Sequence, residues 1–187
     1  MKQALILIDI QNDYFPGGKM TLVGIEKAAN NAKKLLDKCR EAKLPVFHVQ
    51  HISKRPDASF FLPDTKGVKL HESVDPLPGE IVVQKSYPNS FRDTALLNHL
   101  NSADIKSVII CGAMSHMCVD ATTRAAFDLG FSCVVIEDAC ATRDLQHKGK
   151  VIEAEKVHAA FMAALAGLYA KVISLNDFDV ALQDEFT

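Results

Sequence analysis

The chain has 187 residues, 48% of them hydrophobic and 24% charged, with a mean hydropathy of +0.05, the size and balance of one core-forming domain over residues 1–187. A net charge of −2 leaves no basic stripe for nucleic acid, and no apolar run reaches membrane-spanning length. Five cysteines without CxxC spacing argue against a disulfide framework and a structural zinc site, and point to a reducing cytoplasm.

Met1-Lys2-Gln3 leads straight into an apolar run, so no signal peptide is expected. Ala4 to Ile10 reads as a buried strand carrying Asp9 near its end. A carboxylate beside five aliphatics is costly to bury unless paired, so Asp9 is either solvated at the strand end or partnered there. Gln11 to Gly18 has turn chemistry and carries Tyr14 and Phe15. Ile25 to Lys43 predicts an amphipathic helix, with Ile25, Ala28, Ala29, Ala32, Leu35, Leu36 and Cys39 as its apolar stripe. Pro45 opens a strand over residues 46–52. His48 and His51, three apart, then face opposite sides, do not readily share a metal, and read as core or rim histidines. Residues 53–79 form a long segment with four prolines, Phe60 and Phe61; its apolar residues suit a lid or a subunit contact. A short strand, Glu80 to Lys85, ends on a lysine, and Asp93 to Leu100 predicts a short helix.

Val108 to Cys111 has the β-branching of a strand buried on both faces. After Gly112 the pattern turns helical from Met117, and Gly130 supplies the stop. Cys118 therefore falls in the first turn of a helix that follows a central strand. Unpaired N–H groups there favour a thiolate and can hold an oxyanion. The competing reading is a small buried hydrophobe. Further on come a strand at Ser132 to Ile136, a helix from about Lys150 to Tyr169, a last strand at Lys171 to Ser174, and an acidic end, 176–187, that suits a frayed tail or an arm onto a neighbouring subunit. Strands alternating with helices imply an α/β fold with a mostly parallel sheet covered on both faces. No GxGxxG follows the first strand and no GxxxxGK[ST] occurs, which argues against a nucleotide site.

Three strands thus end near Asp9, Lys85 and the turn before Cys118. An acid, a cation and a thiol at one sheet edge are what a cysteine nucleophile needs. The motifs Leu7-Ile8-Asp9-Ile10-Gln11-Asn12-Asp13-Tyr14-Phe15, Lys85-Ser86-Tyr87-Pro88-Asn89-Ser90-Phe91, Gly112-Ala113-Met114-Ser115-His116-Met117-Cys118-Val119 and Glu137-Asp138-Ala139-Cys140-Ala141 stand in this order. With them the chain resembles the isochorismatase-like cysteine hydrolases, a superfamily that includes nicotinamidases, N-carbamoylsarcosine amidases and isochorismatases. The resemblance implies a three-layer α/β/α sandwich on a six-stranded, Rossmann-like, mostly parallel sheet.

It further implies an Asp9–Lys85–Cys118 triad, with Asp9 as general base, Lys85 lowering the thiol pKa, and an oxyanion hole from the backbone N–H groups of Met114 and Cys118. It also implies a cis peptide between Ala113 and Met114 and a homo-oligomer, dimer or tetramer. Metal-binding relatives carry Asp-x-His after the second strand; Phe47-His48-Val49-Gln50-His51-Ile52-Ser53 has no aspartate at that spacing, so no metal and no cofactor are expected. Relatives that cleave a vinyl ether do not use the cysteine, so Cys118 favours C–N bond cleavage in a small amide, imide or ureido substrate. Tyr14, Phe15 and Tyr87 are candidate pocket walls, and His116 either touches substrate or caps the turn. A cysteine-independent hydrolase and a non-hydrolytic thiol module are the alternatives.

Overall fold

A computed structural model describes residues 1–178. Its centre is a six-stranded sheet of β1 (Gln3–Ile8), β2 (Val46–His51), β3 (Ile81–Lys85), β4 (Ser107–Ala113), β5 (Ser132–Ala141) and β8 (Lys171–Ile173). The order is β3-β2-β1-β4-β5-β8, and every pairing is parallel. Helices α1 (Ile25–Glu41), α2 (Leu96–Ser102), α3 (Asp120–Asp128) and α4 (Ala154–Ala166) flank it, completing the three-layer sandwich. The two central strands are buried along their whole length, as their unbroken aliphatic runs require. Helix α1 buries the seven residues of its apolar stripe. It stops at Glu41, two residues short of the predicted end, because Lys43 turns left-handed (φ 56°) and the N–H groups of Lys43 and Leu44 fold back onto the Arg40 and Cys39 carbonyls at 2.9 Å.

Two stretches differ from expectation. Residues 145–152 form a hairpin, β6 (Leu145–His147) and β7 (Lys150–Ile152), so α4 starts at Ala154 rather than near Lys150. Lys148 and Gly149 both have positive φ (49° and 77°), the geometry of a tight type I′ turn, which a lysine partly disguises in the sequence. Strand β5 continues through Glu137–Ala141, past the end at Ile136 expected above, because its pairing with β4 shifts register after Ile110 and resumes at Gly112–Cys140. The acidic end beyond residue 178 lies outside the described residues. No described helix is long and apolar enough to cross a membrane.

Parallel strands place all their C-terminal ends on one edge. Along that edge β3 brings Lys85, β2 brings His51, the end of β1 brings Asp9 and the turn after β4 brings Cys118. The register pairs His51 with Lys85 and Ile8 with Gly112.

Candidate active site

Strand β1 ends at Ile8, and Asp9 takes a left-handed φ of 52° with its N–H on the Val49 carbonyl (3.0 Å). Aspartate tolerates that conformation better than bulkier residues. The turn sends its carboxylate to Lys85, whose Nζ donates to Oδ2 at 2.7 Å with both side chains fully buried. Asp9 is therefore the partnered carboxylate of the two readings above. Its other oxygen, Oδ1, is buried without a hydrogen-bond partner among the described residues. Such an atom calls for a donor, and the thiol of Cys118 is the one at hand. Burial presses the Lys85 ammonium down, but the Asp9 charge and the hydrogen bonds to Asp9 and Cys118 outweigh it and hold Lys85 above its ordinary range.

Gly112 lets β4 reach this edge. Its φ of 124° suits glycine alone, and a Cβ there would collide with the Ile8 backbone of the neighbouring strand. The Ala113–Met114 peptide bond is cis. The chain then makes a single π-type turn, Ser115–Val119, in which the Met114 carbonyl accepts from Met117 (3.0 Å) and Val119 (3.2 Å). The α-helix proper begins only at Asp120.

The surroundings of Cys118 favour the thiol over the thiolate. Burial raises its pKa, the Asp9 carboxylate raises it further, and the Lys85 ammonium only partly offsets them, so the resting group is a thiol well above the ordinary cysteine range. This corrects the expectation of a depressed pKa. Desolvation and a nearby anion exceed what a short turn's N–H groups and one cation supply.

Cys118 is 5% exposed, yet it lines a cavity of about 350 Å³. Tyr14, His51, Phe60, Phe61, Tyr87 and Met117 are among the walls. The 53–79 segment supplies one side. Asp13 holds it there, accepting the Phe61 N–H at 2.6 Å, and the Phe61 ring packs on Tyr14 with centroids 4.6 Å apart. The Tyr14 hydroxyl is pushed well above its ordinary pKa by burial and by the nearby Cys118 and Asp9, so it stays a neutral donor. Arg92 stacks over Tyr87 at 3.7 Å.

Two of the proposed pocket residues lie elsewhere. Phe15 stacks on His71 (centroids 3.6 Å apart) and lines a separate hollow of about 560 Å³, because alternate residues of the turn face opposite ways. Phe60 lines both hollows. His116 does not line the cavity: its Nδ1 lies 2.6 Å from the Thr142 hydroxyl, so it ties the turn to the end of β5 and neither faces the cavity nor caps the turn. His51, read above as core or rim, is at the centre: its Nδ1 lies 3.2 Å from Lys85 Nζ. Its position at a strand's C-terminal end, like that of Lys85, was the available signal.

Asp9, His51 and Cys118 bring one potential ligand atom each within 4.8 Å of one another. The Lys85 ammonium already stands among them, so a divalent cation would meet a like charge at hydrogen-bond range. The donor set fits a metal poorly.

A family model described as the isochorismatase domain matches residues 3–177. The chain is 54% identical over 178 residues to the uncharacterized isochorismatase family protein YddQ of Bacillus subtilis, covering 95% of this chain and 99% of that one. It is 29% identical over 185 residues to Nicotinamidase 3 of Arabidopsis thaliana, covering 92% and 85%. A crystal structure of an isochorismatase from Pseudomonas putida superposes with a TM-score of 0.87 at 36% identity, covering 95% and 90%.

Proposed function

This chain belongs to the isochorismatase family of hydrolases, and from that premise we propose that it is a metal-independent cysteine amidohydrolase acting on a C–N bond of a small amide, imide or ureido compound. The observation that carries the reading is the buried Asp9–Lys85 pair set against Cys118 at the base of the cavity.

The resting thiol assigns the first step. As the substrate carbonyl arrives, Asp9 accepts the thiol proton and Sγ attacks the carbonyl carbon. Oδ1, lacking a donor of its own, is the oxygen suited to that proton. Lys85 balances the negative charge that moves from carboxylate to sulfur, and the N–H groups of Met114 and Cys118 hold the oxyanion. The carbon–nitrogen bond breaks as Asp9 returns the proton to the leaving nitrogen. Asp9 then takes a proton from water, which hydrolyses the thioester and restores the thiol.

The test is a panel of small amides, ureides and carbamoyl compounds assayed for ammonia or amine release. Cys118→Ala and Cys118→Ser are expected to lower kcat by at least about 10³-fold on any substrate found. Full turnover in either variant, or after complete alkylation of Cys118, overturns the reading in favour of a cysteine-independent hydrolase. A homo-oligomer is part of the proposal; light scattering that gives a monomer removes that part alone.

A further inference from the structure

His51 is held more tightly than a pocket wall needs. The side-chain amide of Gln11, itself fully buried, grips its backbone from both sides. Gln11 Oε1 accepts the His51 N–H at 2.7 Å, and Nε2 donates to the His51 carbonyl at 2.9 Å and to that of Val68 at 2.7 Å. Phe61 lies against the ring, with centroids 5.8 Å apart. The imidazole so fixed points Nδ1 at Lys85 Nζ, 3.2 Å away. An ammonium has no lone pair, so Nδ1 must accept, and the neutral ring then carries its proton on Nε2. Burial and the Lys85 charge, opposed by Asp9, keep the imidazole below its ordinary pKa and therefore unprotonated.

Lys85 has three protons and three polar neighbours: Asp9, Cys118 and His51. We propose that His51 is a positioning residue whose neutral Nδ1 accepts a hydrogen bond from one Lys85 N–H, aiming the other two at the Asp9 carboxylate and the Cys118 sulfur. The proposal rests on reading Cys118 as the nucleophile. Without that acceptor, a flexible four-carbon stem is free to turn the ammonium wholly onto Asp9, and the sulfur loses its cation. The buried ionisable groups around this cluster are Asp9 from the end of β1, Tyr14 from the turn after it, Lys85 from β3 and Cys118 from the turn after β4. Arg55 and Asp57 line the same cavity as His51, and Arg143 and Asp13 act on Tyr14. The inner four are buried, so solvent does little to replace the lost contact.

The experiment compares His51→Phe, which keeps a ring and removes the acceptor, with His51→Asn, whose amide oxygen can take the place of Nδ1. The rate of Cys118 alkylation by iodoacetamide is followed across pH 6–10 by mass spectrometry, with Cys118→Ser as blank, and kcat and KM are measured on a substrate from the panel. His51→Phe is expected to slow alkylation about tenfold at pH 8 and to lower kcat about tenfold with KM within about twofold, while His51→Asn restores both to within about threefold. Unchanged alkylation in His51→Phe, or an equal defect in His51→Asn, overturns the proposal; His51→Ala replaces His51→Phe if that variant does not fold. Lys85→Met separates the two readings. If it slows alkylation while His51→Phe does not, only the role of His51 falls. If it leaves alkylation unchanged, the thiolate chemistry itself is wrong.

Discussion

In the proposed mechanism the Asp9 carboxylate acts on Cys118 in two opposed ways, as the anion that raises the thiol pKa and as the base that takes its proton. Asp9→Asn separates them. With the anion gone and Lys85 left unpaired, more of the sulfur ionises, so alkylation at pH 8 is expected to speed up by about tenfold. Turnover is expected to fall by at least about 10²-fold, since no carboxyl group remains to protonate the leaving nitrogen or to take the proton of the attacking water. Slower alkylation together with lost turnover would contradict this account of the charges. At this scale the sequence showed the residues whose type and place coincide: an acid, a lysine and a cysteine at three strand ends. His51 escaped because its spacing from His48 spoke only of opposite faces. Phe15 and His116 were drawn in by their neighbours in the chain, although adjacent side chains in a turn point apart.

Among the elements, β4 and β3 each depend on a feature that a substitution can expose. Gly112→Ala places a methyl group against the Ile8 backbone at a φ of 124°, and is expected to destabilise the fold by about 3 kcal/mol or more in urea titration. A loss below about 1 kcal/mol would mean the two strands can separate without penalty. The start of β3 is anchored by Glu80, which receives two bonds from Arg40 (2.7 and 2.8 Å), one from the buried His48 (2.8 Å) and one from the Leu77 N–H (2.9 Å). Burial pushes the carboxyl up, but these bonds bring it down to about 2. A depressed folded-state pKa gives stability that is fully present above the unfolded value near 4.5 and is lost as pH falls toward 2. Glu80→Gln should therefore lower Tm at pH 7 and narrow its gap from the parent as pH drops from about 5 to 2. An equal gap at both ends would show that the carboxylate charge is not what matters. The strands and α1 were legible from periodicity. The hairpin at 145–152 and the prolonged β5 were not, since a Lys-Gly turn and a shift of pairing leave no apolar rhythm.

For the molecule as a whole, the all-parallel sheet does most to set the function. It brings residues from positions 9, 51, 85 and 118 to one edge, and its core carries the stability that lets Asp9 and Lys85 stay buried. Leu35, fully buried on α1, reports on that core. Leu35→Ala is expected to cost about 2–5 kcal/mol and to lower Tm, with kcat at 25 °C nearly unchanged. A large loss of kcat at a temperature where the variant is folded would show that the core and the site are coupled more closely than the layers suggest. The fold class followed from the alternation of strands and helices. The cavity did not, because its shape comes from residues 53–79, whose course depends on the Asp13 tether rather than on any local pattern.

Phe60 stands between two chambers and is shared by both. Ser59 beside it also lines both. Phe60→Ala should widen the way between the cavity beside Cys118 and its larger neighbour, and turnover of substrates with acyl or amine groups too bulky for the parent is the measurement that reads it.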